Sequence, residues 1–328
     1  MYLEINLNKL EDNFKKITSF NKNIYAVLKS NAYGFGDLKI SRFLYDLGCR
    51  YFAVSTAEEG KRIREHLGPQ VSIKCMNGIY DKNIETLKNY NLEPCLINLK
   101  QYEIYINSYL NLPCWIFFDC GMNRTGMSQE NLENIDFNKL NIKGIMSHLN
   151  NTKEENLDMN SVYFANYIFE KYSYPTSFLK TAGLSLSSHY KYDFIRPGNG
   201  FFFHYPNLGT QSVGKIYSTI LQIQHIKKGS AVGYDKEFIA SDHMKIATID
   251  CGYSDGLNGH YIFLDNENKY KILGRISMQL TAIDISNNFD LKEGDHICIF
   301  NNLHDYSASV GGAFISNSLS FFTERIYI

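Results

Sequence analysis

Short apolar runs rich in β-branched and aromatic residues recur along the first two thirds of the chain, with helical patterns between them. They fall at Ile24–Leu28, Tyr51–Ser55, Val71–Cys75, Pro94–Ile97, Cys114–Phe118, Ile142–Ser147, Ser177–Thr181 and Tyr192–Ile195. The first interval, Asp37 to Gly48, places Leu38, Ile40, Phe43, Leu44 and Leu47 on one helical face, and Gly48 ends it. Thr56–Leu67, Asp81–Tyr90, Leu99–Leu110 and Glu154–Tyr172 are also long enough for the helical crossovers that parallel strands require. Eight such units predict an α/β fold, a (β/α)8 TIM-type barrel over residues 7–210.

Beyond residue 210 the pattern changes. Lys215–Gln224, Lys245–Asp250, Tyr261–Leu264, Tyr270–Leu273, Leu280–Ile285 and His296–Phe300 follow one another with short turns such as Asn258-Gly259 and Glu293-Gly294. Residues 211–328 therefore read as a mainly antiparallel β domain. The opening Tyr2–Ile5 alternates like a strand before a helical stripe at Leu7, Leu10, Phe14 and Ile17, so residues 1–6 can complete a sheet in either domain.

A length of 328 residues suits a barrel with an appended unit. With 33 basic against 34 acidic side chains, the chain lacks the excess cation needed to displace counterions from a polyphosphate backbone, and no nucleic-acid partner is expected. Its seven cysteines form an odd set without CxxC or zinc-ligand spacing, which predicts reduced thiols and no metal. No apolar stretch approaches the roughly 20 residues of a membrane span, and the N-terminus has no leader pattern, so a cytoplasmic chain with no membrane partner is expected.

Barrels of this type work at the C-terminal ends of their strands. The first run ends in Lys29, the fifth leads to Arg124, the sixth to His148, the seventh to Thr181 and the eighth to Arg196-Pro197-Gly198. Each has a plain explanation alone: a solvated loop lysine, a structural histidine, a Pro-Gly turn. Converging, they make a cationic cavity suited to a phosphorylated cofactor and an anionic substrate. A lysine partly desolvated among cations has a lowered pKa, which frees its amine to form a Schiff base.

The segment Lys29-Ser-Asn-Ala-Tyr-Gly-Phe-Gly36 resembles the KxNAYGxG signature of the alanine racemase family, fold type III enzymes that use pyridoxal phosphate. The resemblance continues in order through Glu58-Glu59-Gly60, Asp119-Cys-Gly-Met-Asn-Arg124-Thr-Gly126, Ser147-His148, Arg196-Pro-Gly198, Gly233-Tyr234, Gly252-Tyr-Ser-Asp-Gly256 and Gly274-Arg-Ile-Ser-Met278. It implies that Lys29 carries the cofactor and serves as one acid/base. Tyr234, lent by the partner subunit of a homodimer, is then the other. Tyr33, Thr181, Gly198 and Asn199 match phosphate contacts, and His148 and Arg196 match the chain of hydrogen bonds to the pyridine nitrogen. Arg124, with Met278 and Tyr253 of the partner subunit, matches the surroundings of a small amino-acid substrate.

Several positions depart from the family pattern. Phe117 stands where many members carry a carbamylated lysine, so Arg124 lacks its negative partner. Gln279 replaces an aspartate, Phe35 a histidine, Lys180-Thr181 an Asn-Ser pair, and Ser320-Phe321 a Ser-Tyr pair. The resemblance implies interconversion of L- and D-alanine, supplying D-alanine for peptidoglycan. The alternatives are a broad-specificity or serine- or lysine-preferring racemase of the same family, and, in another class, a non-catalytic protein that binds pyridoxal phosphate.

Overall fold

A computed structural model describes residues 1–21, 23–150, 158–255, 257, 262–265, 268–287, 290–300 and 324–328. The Asn258-Gly259 turn and the Ser320-Phe321 pair lie outside the described residues. Eight parallel strands pair in sequence order: β2 (Tyr25–Val27), β3 (Tyr51–Val54), β4 (Ser72–Cys75), β5 (Glu93–Leu96), β6 (Cys114–Phe117), β7 (Ile142–Met146), β8 (Thr176–Lys180) and β9 (Phe194–Arg196). The parallel bridge Ile24↔Ile195 and the bond from Val27 N–H to the Pro197 carbonyl, 2.9 Å, close the ring. All eight expected runs are present as strands.

Because side chains alternate along a strand, each run splits into an inward and an outward set. Ile73 and Cys75 join the large cluster beneath the helices, while Tyr25, Val27, Cys95, Trp115, Phe117 and Met146 form a separate inner cluster. The inside also holds polar groups. Glu93 accepts from Tyr25 at 3.1 Å, Ser72 at 2.5 Å, Trp115 at 3.1 Å and Lys143 at 2.6 Å, which satisfies a carboxylate that would otherwise be costly to bury. Lys74 is fully buried with its Nζ over the rings of Tyr25, at 3.7 Å, and Trp115, at 3.1 Å, and burial lowers its pKa well below the usual value.

The crossovers keep the predicted helices at Asp37–Asp46, Ala57–Leu67, Ile84–Asn89, Leu99–Asn107 and Met159–Tyr172. Thr56 and Glu59 form a reciprocal capping box at the start of the second of these. Between β8 and β9 a 3-10 helix, Thr181–Ser188, stands in place of an α-helix.

The second unit is built on β10 (Gly214–Ile226), whose register shifts between Ile220 and Gln222. Its first half pairs with β1 (Tyr2–Ile5) and with His296–Phe300; its second half pairs with Met244–Ile249, which continues to Thr281–Asp284. The opening strand thus completes the sheet of the β unit, and Arg325–Tyr327 pairs with it in parallel. All seven cysteines are buried free thiols. Among the described residues no helix is long and apolar enough to cross a membrane.

Candidate active site

The chain after β2 does not enter an ordinary helix. Ser30, Asn31, Ala32 and Tyr33 all take left-handed backbone angles, with φ of 53°, 55°, 53° and 56°. Left-handed helical geometry costs an L-residue roughly 1–2 kcal/mol, so four in succession persist only where surrounding bonds hold them. Those bonds are present. Asn31 Oδ1 accepts from the Asp37 N–H at 2.9 Å, and the Asn31 carbonyl accepts from Gly34 and Gly36, both at 3.0 Å. Gly34 and Gly36 supply φ of 91° and 93°, which explains the glycines of the motif. Glu59 accepts from the Ser30 N–H at 2.7 Å through one oxygen and from Ser55 at 2.8 Å through the other, tying the turn to the rim after β3. From the end of the chain, Arg325 Nε donates to the Gly34 carbonyl at 2.6 Å and Tyr327 Oη to the Phe35 carbonyl at 2.7 Å.

This turn brings both Lys29 and Tyr33 to a cavity of about 610 Å³ at the rim. The same cavity is lined by Arg124, His148, Thr181, Arg196, Gly198 and Asn199, so all eight barrel residues expected at the site meet there. Phe117 lines it as well. Tyr234, Tyr253 and Met278 do not; they stand on the surface of the β unit, 61%, 58% and 60% exposed. Their segments are joined, since the Tyr253 N–H bonds the Ser277 carbonyl at 3.0 Å and Arg275 pairs with Asp235 at 2.9 Å and Glu237 at 2.6 Å.

One end of the cavity is shaped for an oxyanion. Thr181 Oγ1 accepts from the N–H groups of Gly198, at 3.1 Å, and Gly200, at 3.2 Å. With both lone pairs engaged, the hydroxyl has its proton left to donate into the cavity. A methyl group on Gly198 would overlap the Tyr33 hydroxyl, and one on Gly200 would meet Thr181 Cγ2 at 2.5 Å. The cradle exists because these positions lack a Cβ. Its neutral donors, with two half-buried lysines and two arginines in the same cavity, fit a phosphorylated aldehyde cofactor.

The electrostatics support the same fit. The lining contains Lys29, Arg124, Lys180 and Arg196 and, among the described residues, neither aspartate nor glutamate. Arg196 is buried and fixed by Ser177 Oγ at 2.7 Å and the Ser147 carbonyl at 2.5 Å; burial lowers its pKa to about 10, so it stays charged at neutral pH. Burial, and then the charge of Arg124, lower the pKa of Lys29, while Glu59 opposes the shift. Asp119 is the acid nearest in sequence to Arg124, but its carboxylate accepts from the backbone of Gly121, Met122 and Asn123 at 3.0, 2.9 and 2.8 Å and so shapes the loop that carries the arginine.

His148 stands among these cations, and burial, followed by Arg196, Lys180, Arg124 and Lys29, lowers its pKa to about 2. Its folded pKa lies below the unfolded value of 6.5, so between these limits the unfolded chain takes up a proton that the folded one refuses. This single group destabilises the fold as pH falls through that window, by up to about 1.4 kcal/mol per pH unit, and has no effect above it. The melting temperature of the cofactor-free protein should fall between about pH 7 and pH 5, with a shallower fall in His148→Gln. Equal slopes in the two proteins would show that His148 titrates normally.

Lys180, Tyr205, Met76, Asn77, Tyr80 and Thr125 also line the cavity without having been assigned to it from the sequence. Lys180 carried a signal, since it stands next to the last residue of a predicted strand and departs from the family pattern. Tyr205 follows a run of phenylalanines beyond the last barrel strand and carried none.

The comparisons with known proteins agree with this geometry. The family model described as alanine racemase, N-terminal domain, matches residues 5–206, and that described as alanine racemase, C-terminal domain, matches residues 213–313. The chain is 32% identical to the alanine racemase of Rickettsia akari (strain Hartford) over 354 aligned positions, covering 99% of this chain and 98% of that protein. It is 32% identical to that of Ruegeria sp. (strain TM1040), covering 89% and 86%. Among solved structures, alanine racemase from Bartonella henselae with covalently bound pyridoxal phosphate matches with a TM-score of 0.89 and 27% identity, covering 100% of this chain and 99% of that one. The biosynthetic alanine racemase of Pseudomonas aeruginosa, at 21% identity and a TM-score of 0.87, covers the same shares and speaks for the fold.

Proposed function

The chain belongs to the alanine racemase family, and from that premise we propose that it is a pyridoxal-phosphate-dependent enzyme that interconverts L- and D-alanine. The observation that carries this reading is the meeting of Lys29, a set of cations without an acid among the described residues, and a glycine-floored oxyanion cradle in one cavity. Tyr33, Thr181, Gly198 and Asn199 would hold the cofactor's phosphate, Lys29 would attach it, and Arg196 would serve its ring. The bound cofactor supplies the electron-withdrawing group that makes the substrate's Cα proton removable. Arg196 does not surrender a proton at neutral pH, so toward the cofactor's ring it would act as a hydrogen-bond donor and not as an acid. Arg124 orients the substrate carboxylate. Lys29, with its pKa lowered, takes or returns the Cα proton on one face.

Inversion needs a second proton carrier on the opposite face. We assign it to Tyr234, which reaches the cavity of a second copy of the chain in a head-to-tail homodimer, with Tyr253 and Met278 beside it. Their exposure on the isolated chain supports this arrangement. The enzyme then works in the cytoplasm and supplies D-alanine for peptidoglycan.

Purified protein incubated with L- or D-alanine in heavy water tests the reading. Deuterium is expected at Cα from both isomers in the wild type. In Tyr234→Phe, exchange from L-alanine should fall by about a hundredfold or more, the scale of a lost general base, and exchange from D-alanine much less. Equal loss in both directions would remove the assignment of one carrier to each face.

A further inference from the structure

Lys180 ends β8, where its backbone pairs in register with Arg196 of β9. Its side chain is half-buried at the cavity, and no hydrogen bond or ion pair engages its ammonium among the described residues. Arg124 likewise has no acid partner among the described residues, since Asp119 is engaged by the loop backbone and Phe117 offers no charge. Arg196, by contrast, is held by Ser177, Ser147 and Phe178. Two cations thus face one cavity without counter-charge. Burial and then the charges of Arg124 and Arg196 disfavour the ammonium form of Lys180. A half-buried cation among cations is unfavourable until an anion arrives.

The charge count indicates which anion. With Lys29 and Arg196 given to the cofactor, Arg124 and Lys180 remain, and the substrate brings one carboxylate. The phosphate already has its cradle of neutral donors, and of the charges that act on Lys180 that of Arg124 has the largest effect.

We propose that Lys180 is a substrate-binding, specificity-determining residue that grips the α-carboxylate together with Arg124, so that the pocket recognises small carboxylates with two cations. This rests on the racemase reading for its substrate but not for its test. Propionate, an unreactive small carboxylate, is titrated calorimetrically into the cofactor-loaded wild type, Lys180→Met, Lys180→Gln and Lys180→Arg, with chloride varied at constant ionic strength. Both neutral variants are expected to bind propionate about tenfold more weakly, the scale of one hydrogen bond to a charged group. They should raise KM for alanine by a similar factor and leave kcat within about twofold, whereas Lys180→Arg recovers most of the affinity. Unchanged propionate affinity in variants that still melt cooperatively would overturn the proposal. So would a loss of chloride sensitivity with propionate binding intact, which would assign the lysine to an inorganic anion. A wild type that binds propionate through Lys180 but does not racemise alanine would sink the racemase reading and leave the carboxylate grip standing.

Discussion

Replacing Lys29 with alanine should lower racemisation by at least about a thousandfold and leave the purified protein without the visible absorption of a bound aldehyde cofactor. The size of the effect follows from two lost roles. A positioned acid/base contributes about 10²–10⁴ in rate, and the covalent attachment point disappears with it. The local structure argues against rescue by a neighbour. The turn that starts at Ser30 is held by Glu59, Asn31 and the Arg325–Tyr327 strand, so the backbone cannot shift another amine into the vacated place at small cost. Borohydride treatment followed by peptide mass mapping should find the reduced cofactor on Lys29 in the wild type and on no peptide of the variant. Label found at Lys180, the other half-buried amine of the cavity, would reassign the attachment point.

Gly198→Ala should weaken cofactor binding by about ten- to a hundredfold. The added methyl overlaps the Tyr33 hydroxyl, and relief requires moving either that ring or the Pro197–Asn199 backbone. Overpacking of this kind costs about 1–3 kcal/mol, and each 1.4 kcal/mol is tenfold in affinity. Tyr33→Phe removes one donor without adding volume and should cost less, about tenfold at most. The comparison is made by equilibrium dialysis of the cofactor against the two variants. If Gly198→Ala bound the cofactor as tightly as the wild type, the phosphate would lie elsewhere in the cavity.

The barrel was legible because eight apolar runs each carry a local signal and the intervals between them are long enough for helices. Cys114–Phe118 reads as a strand from its own residues, and the structure places Cys114–Phe117 there. The rim residues could be read for the same reason, since a closed parallel ring brings the residue after each run to one end. What escaped depends on contacts distant in sequence. Arg325–Tyr327 is three residues long and has a neighbour only because β1 lies beside it. The left-handed path from Ser30 to Tyr33 contains a serine, an alanine and a tyrosine that favour other conformations, and tertiary bonds override them. Tyr205 enters the cavity through the fold of the segment after β9, which no periodicity encodes.

The two anchors of the lysine turn lie 291 and 292 positions beyond the carbonyls they hold. On the ribosome, every barrel strand can emerge and pair before either anchor has been synthesised. The nascent chain can therefore possess a complete ring while the turn after Lys29 still lacks these two bonds, which form only once residues 325–327 have been made. A chain that stops ahead of residue 325 would have the barrel in outline without them.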